Sequence, residues 1–261
     1  MIQMLKCPTV SSFEQQTSAL ILHHLMDQTS WAKPTIQEMA HIESFRWTIK
    51  TYQKGSCFLV QGDSKTIISI LLSGWAFRFQ TLPEGKRQIL DFVFDGALLG
   101  FGAGNTNGYG VEAVTTCTVA SLQSMQFRRL LSGCPVLAIN VAERVADSEM
   151  RAYEHLTSLG RRTARERVAA LLVELMERTK HPASTTIAKK FELPISQIMI
   201  GDALGLSNEH VCRTLAKLVG DGVIELSRHA VLVLDLDAIV IEAGLDTTLN
   251  SLTPSFEECA A

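Results

Sequence analysis

The chain has 261 residues, 46% of them hydrophobic and 20% charged, and a formal net charge of -3. That composition fits a folded chain of one large or two ordinary domains and excludes wholesale disorder, a fibre or a bundle of membrane spans. Its apolar runs, such as residues 67–72 and 231–234, are far shorter than the roughly 20 residues of a membrane helix, and no basic segment followed by a long apolar stretch opens the chain, so a cytoplasmic location without a membrane partner is expected.

Residues 17–26 and 36–49 carry apolar side chains at helical spacings (Leu20, Ile21, His24, Leu25; Ile36, Met39, Ala40, Ile42) and predict two short helices separated at Pro34. From Thr51 the period changes. Residues 57–60 and 67–72 are short apolar runs closed by Gln61-Gly62-Asp63 and Ser73-Gly74. Trp75, Phe77 and Phe79 then alternate with Ala76, Arg78 and Gln80. Leu82-Pro83-Glu84-Gly85-Lys86 reads as a hairpin turn before residues 88–94, and residues 111–114 and 118–122 resume the pattern. Many short strands at about ten-residue spacing predict an antiparallel sandwich or barrel. No His lies between Thr51 and Gln126, which excludes a cupin-type barrel enzyme with an imidazole metal site.

After Pro135 the signal is helical to about Leu159. Ala138, Val141, Val145, Ala152, Leu156 and Leu159 form a narrow apolar stripe, which reads as a short coiled-coil dimer helix. The alternative is a helix packed on its own β-domain. Gly160 ends it, Thr163 caps a second helix, and Ala164, Val168, Leu171, Leu172, Leu175 and Met176 give that helix one apolar face. Residues 180–192 are polar and read as a loop with a brief strand.

The most informative stretch is residues 193–218. Ser196 can cap a helix that buries Ile200, Ala203 and Leu204; Gly205 suits a tight turn, and Leu206 plugs the angle between two helices. Ser207 caps the second helix, which turns Val211, Leu215 and Leu218 inward and leaves Asn208, Glu209, His210, Arg213 and Lys217 outward. This is the pattern of a helix-turn-helix with its recognition helix. Arg can donate two hydrogen bonds to guanine N7 and O6, and Glu can accept from cytosine N4. One turn separates Glu209 from Arg213, so both can enter a major groove together. Ser207, Asn208, Glu209, His210, Arg213 and Lys217 are therefore the expected DNA-binding residues. A turn at Gly220-Asp221-Gly222 and the apolar residues 223–226 and 231–234 around 227–229 suit a β-wing. Charge distribution agrees: residues 160–230 hold eleven Lys or Arg against eight Asp or Glu, a positive segment in a negative chain.

The six cysteines (Cys7, Cys57, Cys117, Cys134, Cys212 and Cys259) include no C-x-x-C pair and are expected as free thiols, with no metal centre. His23 and His24 are adjacent and would diverge by about 100° on a helix, a poor metal pair. Cys212 lies in the recognition helix, where oxidation of its thiol would add bulk and charge at a DNA interface, making it a possible redox residue.

Over roughly residues 35–245 these parts resemble the Crp/Fnr family of bacterial transcription regulators. Lys54-Gly55, Gln61-Gly62-Asp63 and Leu72-Ser73-Gly74 look like its β-roll turns, and Gly85-Lys86-Arg87-Gln88-Ile89-Leu90 like its effector-domain hairpin. Residues 160–169 resemble its entry into the DNA-binding domain, and residues 202–215 its helix-turn-helix, with Glu209 and Arg213 at the family's base-reading positions. The resemblance implies an α+β chain: an N-terminal antiparallel β-roll similar to cyclic-nucleotide-binding domains, with N-terminal helices (1–132), a dimerisation helix (133–160), a winged helix-turn-helix (161–245) and a polar tail (246–261). It also implies a non-enzymatic homodimer that binds a pseudo-palindromic operator and contacts RNA polymerase.

The effector cassette departs from the cyclic-nucleotide branch. That branch places Gly-Glu-Leu and an Arg-Ser/Thr pair there, whereas residues 98–113 contain no Arg and no carboxylate before Glu112. A cyclic phosphate would lack its guanidinium partner. The oxygen-sensing Fnr branch carries an N-terminal cysteine cluster, and Cys7 alone lies there. No cofactor is therefore expected, neither cAMP nor an iron–sulfur cluster, and the chain is similar to FixK-like regulators. The alternatives are a cyclic-nucleotide-type ligand module and a redox sensor acting through Cys212.

Overall fold

The computed structural model describes Ile21, His24 and residues 33–64, 66–102, 104–179 and 190–245. It divides into two compact units, Met1–Arg151 and Ala152–Ala261. No helix among the described residues is long and apolar enough to cross a membrane. The expected helix over residues 17–26 lies outside the described residues apart from Ile21 and His24, both helical, and the polar tail over residues 246–261 lies wholly outside them.

In the first unit, helix α1 (Ile36–Glu43) starts on a capping box between Thr35 and Glu38. It stops before the expected Ile49, at Ser44, and Ile49 instead belongs to strand β1 (Thr48–Tyr52). The apolar spacing continues past Glu43, but β1 pairs along its whole length with β8 (Cys117–Gln123), and tertiary pairing overrides local period there. Strands β2 (Cys57–Leu59), β3 (Ile67–Ser73), β4 (Ala76–Thr81), β5 (Arg87–Val93), β6 (Leu98–Leu99) and β7 (Gly110–Ala113) complete two antiparallel four-stranded sheets, ordered β1-β8-β3-β6 and β2-β7-β4-β5.

Strand β3 shows why residues 67–72 form an unbroken apolar run: both of its faces are covered. Ile68, Ile70 and Leu72 pack with Phe127, Leu130 and Leu137 of the helices that follow, while Leu71 joins Leu59, Val93, Leu99, Val111 and Val119 in a second cluster fed by both sheets. The one polar residue in the run, Ser69, is satisfied by a 2.8 Å hydrogen bond with Ser121.

Helix α2 (Ser124–Ser132) was not expected from the periodicity. It follows β8 without a turn, starts with no side-chain cap, and so leaves no punctuation in the sequence. Helix α3 (Pro135–Arg161) has 27 residues, about 40 Å at 1.5 Å per residue.

The expected α3 stripe is divided between two faces. Leu137 and Val141 are buried in the β-domain core with Asn140, whose side chain donates to the Val136 carbonyl, so this part of the helix packs on its own domain. A different set remains exposed: Ile139, Val145, Met150, Tyr153 and Leu156. Ile139, Ala142, Ala146, Glu149, Tyr153, Leu156 and Gly160 alternate at three- and four-residue steps, the spacing of a coiled-coil seam.

In the second unit, Thr163 and Glu166 form a capping box that starts α4 (Ala164–Arg178), and Val168, Leu171, Leu172, Leu175 and Met176 are buried as the spacing predicts. Strand β9 (Lys190–Glu192), helices α5 (Gln197–Leu204) and α6 (Asn208–Gly220), and strands β10 (Ile224–Ser227) and β11 (Ala230–Val233) follow. The strands pair antiparallel in the order β10-β11-β9, giving the β-wing a third strand. A further helix, α7 (Leu236–Glu242), capped by Asp235, is absent from the sequence-based expectation.

Candidate nucleic-acid interface

The geometry of α5 and α6 is set by four local devices. Ser196 accepts from the Met199 amide and starts α5. Gly205 ends it with φ 62 and ψ 36, the left-handed conformation that glycine adopts without a Cβ penalty. Ser207 accepts from the His210 amide and starts α6. The fourth device escaped the sequence reading: Gly201 lies where the chain doubles back, and a Cβ there would sit 2.6 Å from the Leu206 carbonyl oxygen. No side chain fits, so Gly201 sets how closely the turn packs on α5.

The framework is held from below by side chains that sequence charge alone assigned to the surface. Arg167 donates to the Leu204 and Arg162 carbonyls at 3.1 and 2.9 Å and so caps the end of α5. Arg165 meets Glu242 and Asp221, each at 2.6 Å, tying the start of α4 to α7 and to the end of α6. Those hydrogen bonds hold the Arg165 guanidinium above its ordinary pKa. Arg162 pairs with Glu154 and Arg178 with Glu174. The positive segment is thus partly consumed by structure; Arg161, Lys190, Arg213, Lys217 and Arg228 are its exposed cations among the described residues. His155 places Nε2 3.1 Å from the Ala203 carbonyl and links the end of α3 to α5.

Helix α6 buries Val211, Thr214, Leu215 and Leu218 and exposes Asn208, Glu209, His210, Cys212, Arg213, Ala216 and Lys217. At about 100° per residue, Glu209, Cys212, Arg213 and Ala216 occupy the middle of the exposed face. Asn208 lies on one margin, and Lys217 and His210 on the other. Glu209 and Arg213 touch at 3.5 Å, 76% and 59% exposed; such an exposed i,i+4 pair is worth only about 0.3–0.5 kcal/mol and is readily given up to a better partner. His210 Nδ1 is 2.8 Å from Ser207 Oγ, so its ring stays at the helix start. Cys212 and Ala216, both small, leave the centre of the face low enough for close approach of a flat surface.

Among the described residues no group of three or more His, Cys, Asp or Glu could hold a metal ion. Cys57 and Cys212 are exposed free thiols, and Cys117 and Cys134 are buried. Burial pushes the Cys117 thiol up to about 11, which keeps it protonated and unreactive.

Residues 98–113 contain the short strand β6, the positive-φ glycines Gly100, Gly102 and Gly104, and strand β7. Glu112 shares a sheet face with Phe77 and Phe92 and pairs with Arg87 at 3.4 Å. The opposite face, with Ala76, Val93, Val111 and Ala113, carries Arg78. Its Nη2 donates to the Leu98 carbonyl at 2.9 Å, Nη1 lies 3.5 Å from Asp91, and the guanidinium carbon sits 5.4 Å from the centre of the Tyr109 ring. A cyclic phosphate fits this arrangement poorly: the cassette supplies no cation of its own, and the Arg78 guanidinium facing it is already held by a carboxylate and a carbonyl.

Two domain families match the chain: the cyclic nucleotide-binding domain over residues 49–134 and the Crp-like helix-turn-helix domain over residues 166–240. The transcriptional activator protein FnrL of Cereibacter sphaeroides is 29% identical over 218 residues, 81% of this chain and 86% of FnrL. The nitrogen fixation regulation protein FixK of Bradyrhizobium diazoefficiens is 31% identical over 186 residues, 70% of this chain and 77% of FixK. Among solved structures, FixK2 from Bradyrhizobium japonicum superposes with a TM-score of 0.68 at 25% identity, covering 75% of this chain and 96% of that one.

Proposed function

The chain belongs to the Crp/Fnr family of transcription regulators, and on that premise we propose that it acts as a homodimer whose two α6 helices read the half-sites of a pseudo-palindromic operator. It is a DNA-binding regulator rather than an enzyme, as relatives such as FnrL and AadR are transcriptional activators. The observation that carries the finer reading is the exposed face of α6, where Glu209 and Arg213 stand one turn apart at the centre with small residues beside them. Glu209 and Arg213 read base edges. Lys217 and His210 on one margin and Asn208 on the other meet the backbone or neighbouring bases, and Ser207 fixes the helix start. The exposed seam of α3 joins the two copies. RNA polymerase is the further partner, the location is cytoplasmic, and no small-molecule cofactor is used.

Selection of bound sites from a pool of random-sequence duplexes tests this. Enriched sequences should contain two half-sites related by a two-fold axis, with centres separated by about one helical turn or a multiple of it. Binding should weaken steeply with salt. Enrichment of single asymmetric sites would refute the dimeric reading.

A second reading, redox control through Cys212, is favoured by its exposure in the middle of the same face. Alkylation with N-ethylmaleimide, or oxidation by peroxide, puts added bulk where the groove floor must approach. Either treatment should abolish binding by the native protein and leave Cys212→Ser bound. Equal loss in both assigns the effect to another thiol, since Cys57 is also exposed.

A further inference from the structure

A largely buried guanidinium is costly unless its donors are met, and Arg78 leaves its Nε without a hydrogen bond, so its position calls for an account. In sequence it sits among the residues alternating with Phe77 and Phe79, where a solvent-facing side chain is expected. Its side chain is instead 17% exposed on the inward face of β4. Two of its contacts, the Leu98 carbonyl and the Tyr109 ring, belong to residues 98–113, the stretch that the family resemblance makes the effector cassette. Tyr109 in turn braces that segment, its hydroxyl accepting from the Gly100 amide at 3.1 Å. A fourth contact leaves the sheet: Nη1 donates to Ser148 Oγ on α3 at 3.2 Å. Arg144, one turn earlier on α3, donates to the Gly96 carbonyl at 2.6 Å, just before the same segment.

We propose that Arg78 is a built-in substitute for an effector: the protein's own cation fills the cassette and straps it, through Ser148, to the helix that continues toward the DNA-reading unit. The cassette is therefore set in its DNA-binding arrangement without an anionic ligand, and cAMP or cGMP has no place to enter. The strap is a positioning device. It touches no DNA and acts by holding α3 against the sheet. This rests on the reading of the chain as an operator-binding homodimer.

The test uses full-length protein, no added small molecule, and the duplex that the native protein itself enriches from a random pool. Ser148→Ala removes the helix end of the strap and leaves the guanidinium with its other partners. Arg78→Met keeps the aliphatic stem and removes the charge, and because it leaves the Asp91 carboxylate, 16% exposed, without this partner it also lowers stability. Each variant should bind the selected duplex about tenfold more weakly or worse, with its weak binding to an unrelated duplex unchanged and, in Ser148→Ala, with the melting temperature unchanged as well. Amide exchange over residues 144–151 should be faster in both. Native affinity in Ser148→Ala overturns the proposal, as does tightening of native binding by cAMP or cGMP. If Arg78→Met fails to fold, Ser148→Ala alone decides. If the native protein enriches no duplex, it is the operator-binding reading that fails. The strap is then judged by amide exchange alone, and unchanged exchange in Ser148→Ala overturns it.

Discussion

Arg213→Ala is expected to weaken binding to the selected operator by about 1–3 kcal/mol, roughly 5- to 150-fold, and to relax sequence preference at one base pair per half-site. The side chain is more than half exposed and its ion-pair partner, Glu209, is more exposed still, so the loss should not come from unfolding. Glu209→Ala should relax preference at a neighbouring base pair. The double variant should lose less than the sum of the two, because each residue orients the other on the same helical turn. Lys217→Ala provides the contrast. On the proposed reading a lysine at the margin of the face meets backbone phosphate, so its removal should weaken all duplexes alike and lower the salt slope by about one. Competition binding against single-base-substituted operators at two salt concentrations separates the cases. Unchanged selectivity in Arg213→Ala would show that another element reads the bases.

The helix-turn-helix was legible in the sequence because each of its controls is a single residue acting on its own neighbours. Ser196, Gly205 and Ser207 mark their helix ends through bonds spanning three or four residues, and the structure has them doing so. Strand positions in the first unit were legible for a similar reason, since turns at Gly62, Gly74 and Gly85 need a positive φ. What was not legible depends on contacts distant in sequence. Gly201 looks like an ordinary small residue until the Leu206 carbonyl is seen folded against it. Arg165 and Arg167 read as surface charge until α7 and the end of α5 meet them. Arg78 reads as the polar half of an alternating strand because periodicity cannot show that both faces of β4 are covered. In α3, two apolar faces share one helix, and a single averaged stripe mixes Val141, which belongs to the β-domain core, with Leu156, which does not.

That division within α3 yields the second large expected effect. Leu156 is 68% exposed, so it does little to hold its own unit together, and replacing it with a charged residue should leave the melting of an isolated chain almost unchanged. In the proposed homodimer a two-fold axis changes the outcome, because each seam residue would meet the seam of an identical partner, and a new carboxylate would be set against its own copy in a drying interface. Leu156→Glu should therefore convert the dimer to monomer, and Tyr153→Glu should weaken it; Glu149, already in the seam, adds like charge to both. A monomer reads one half-site only, and the second binding event loses the high effective concentration that the seam provides. Operator affinity should then fall by about 10²- to 10⁴-fold, more than removal of a base contact costs, while contacts to a single half-site stay intact. Analytical ultracentrifugation together with binding to full and half operators checks this. A Leu156→Glu protein that sediments as a dimer and binds the full operator normally would place the subunit interface on some surface other than α3.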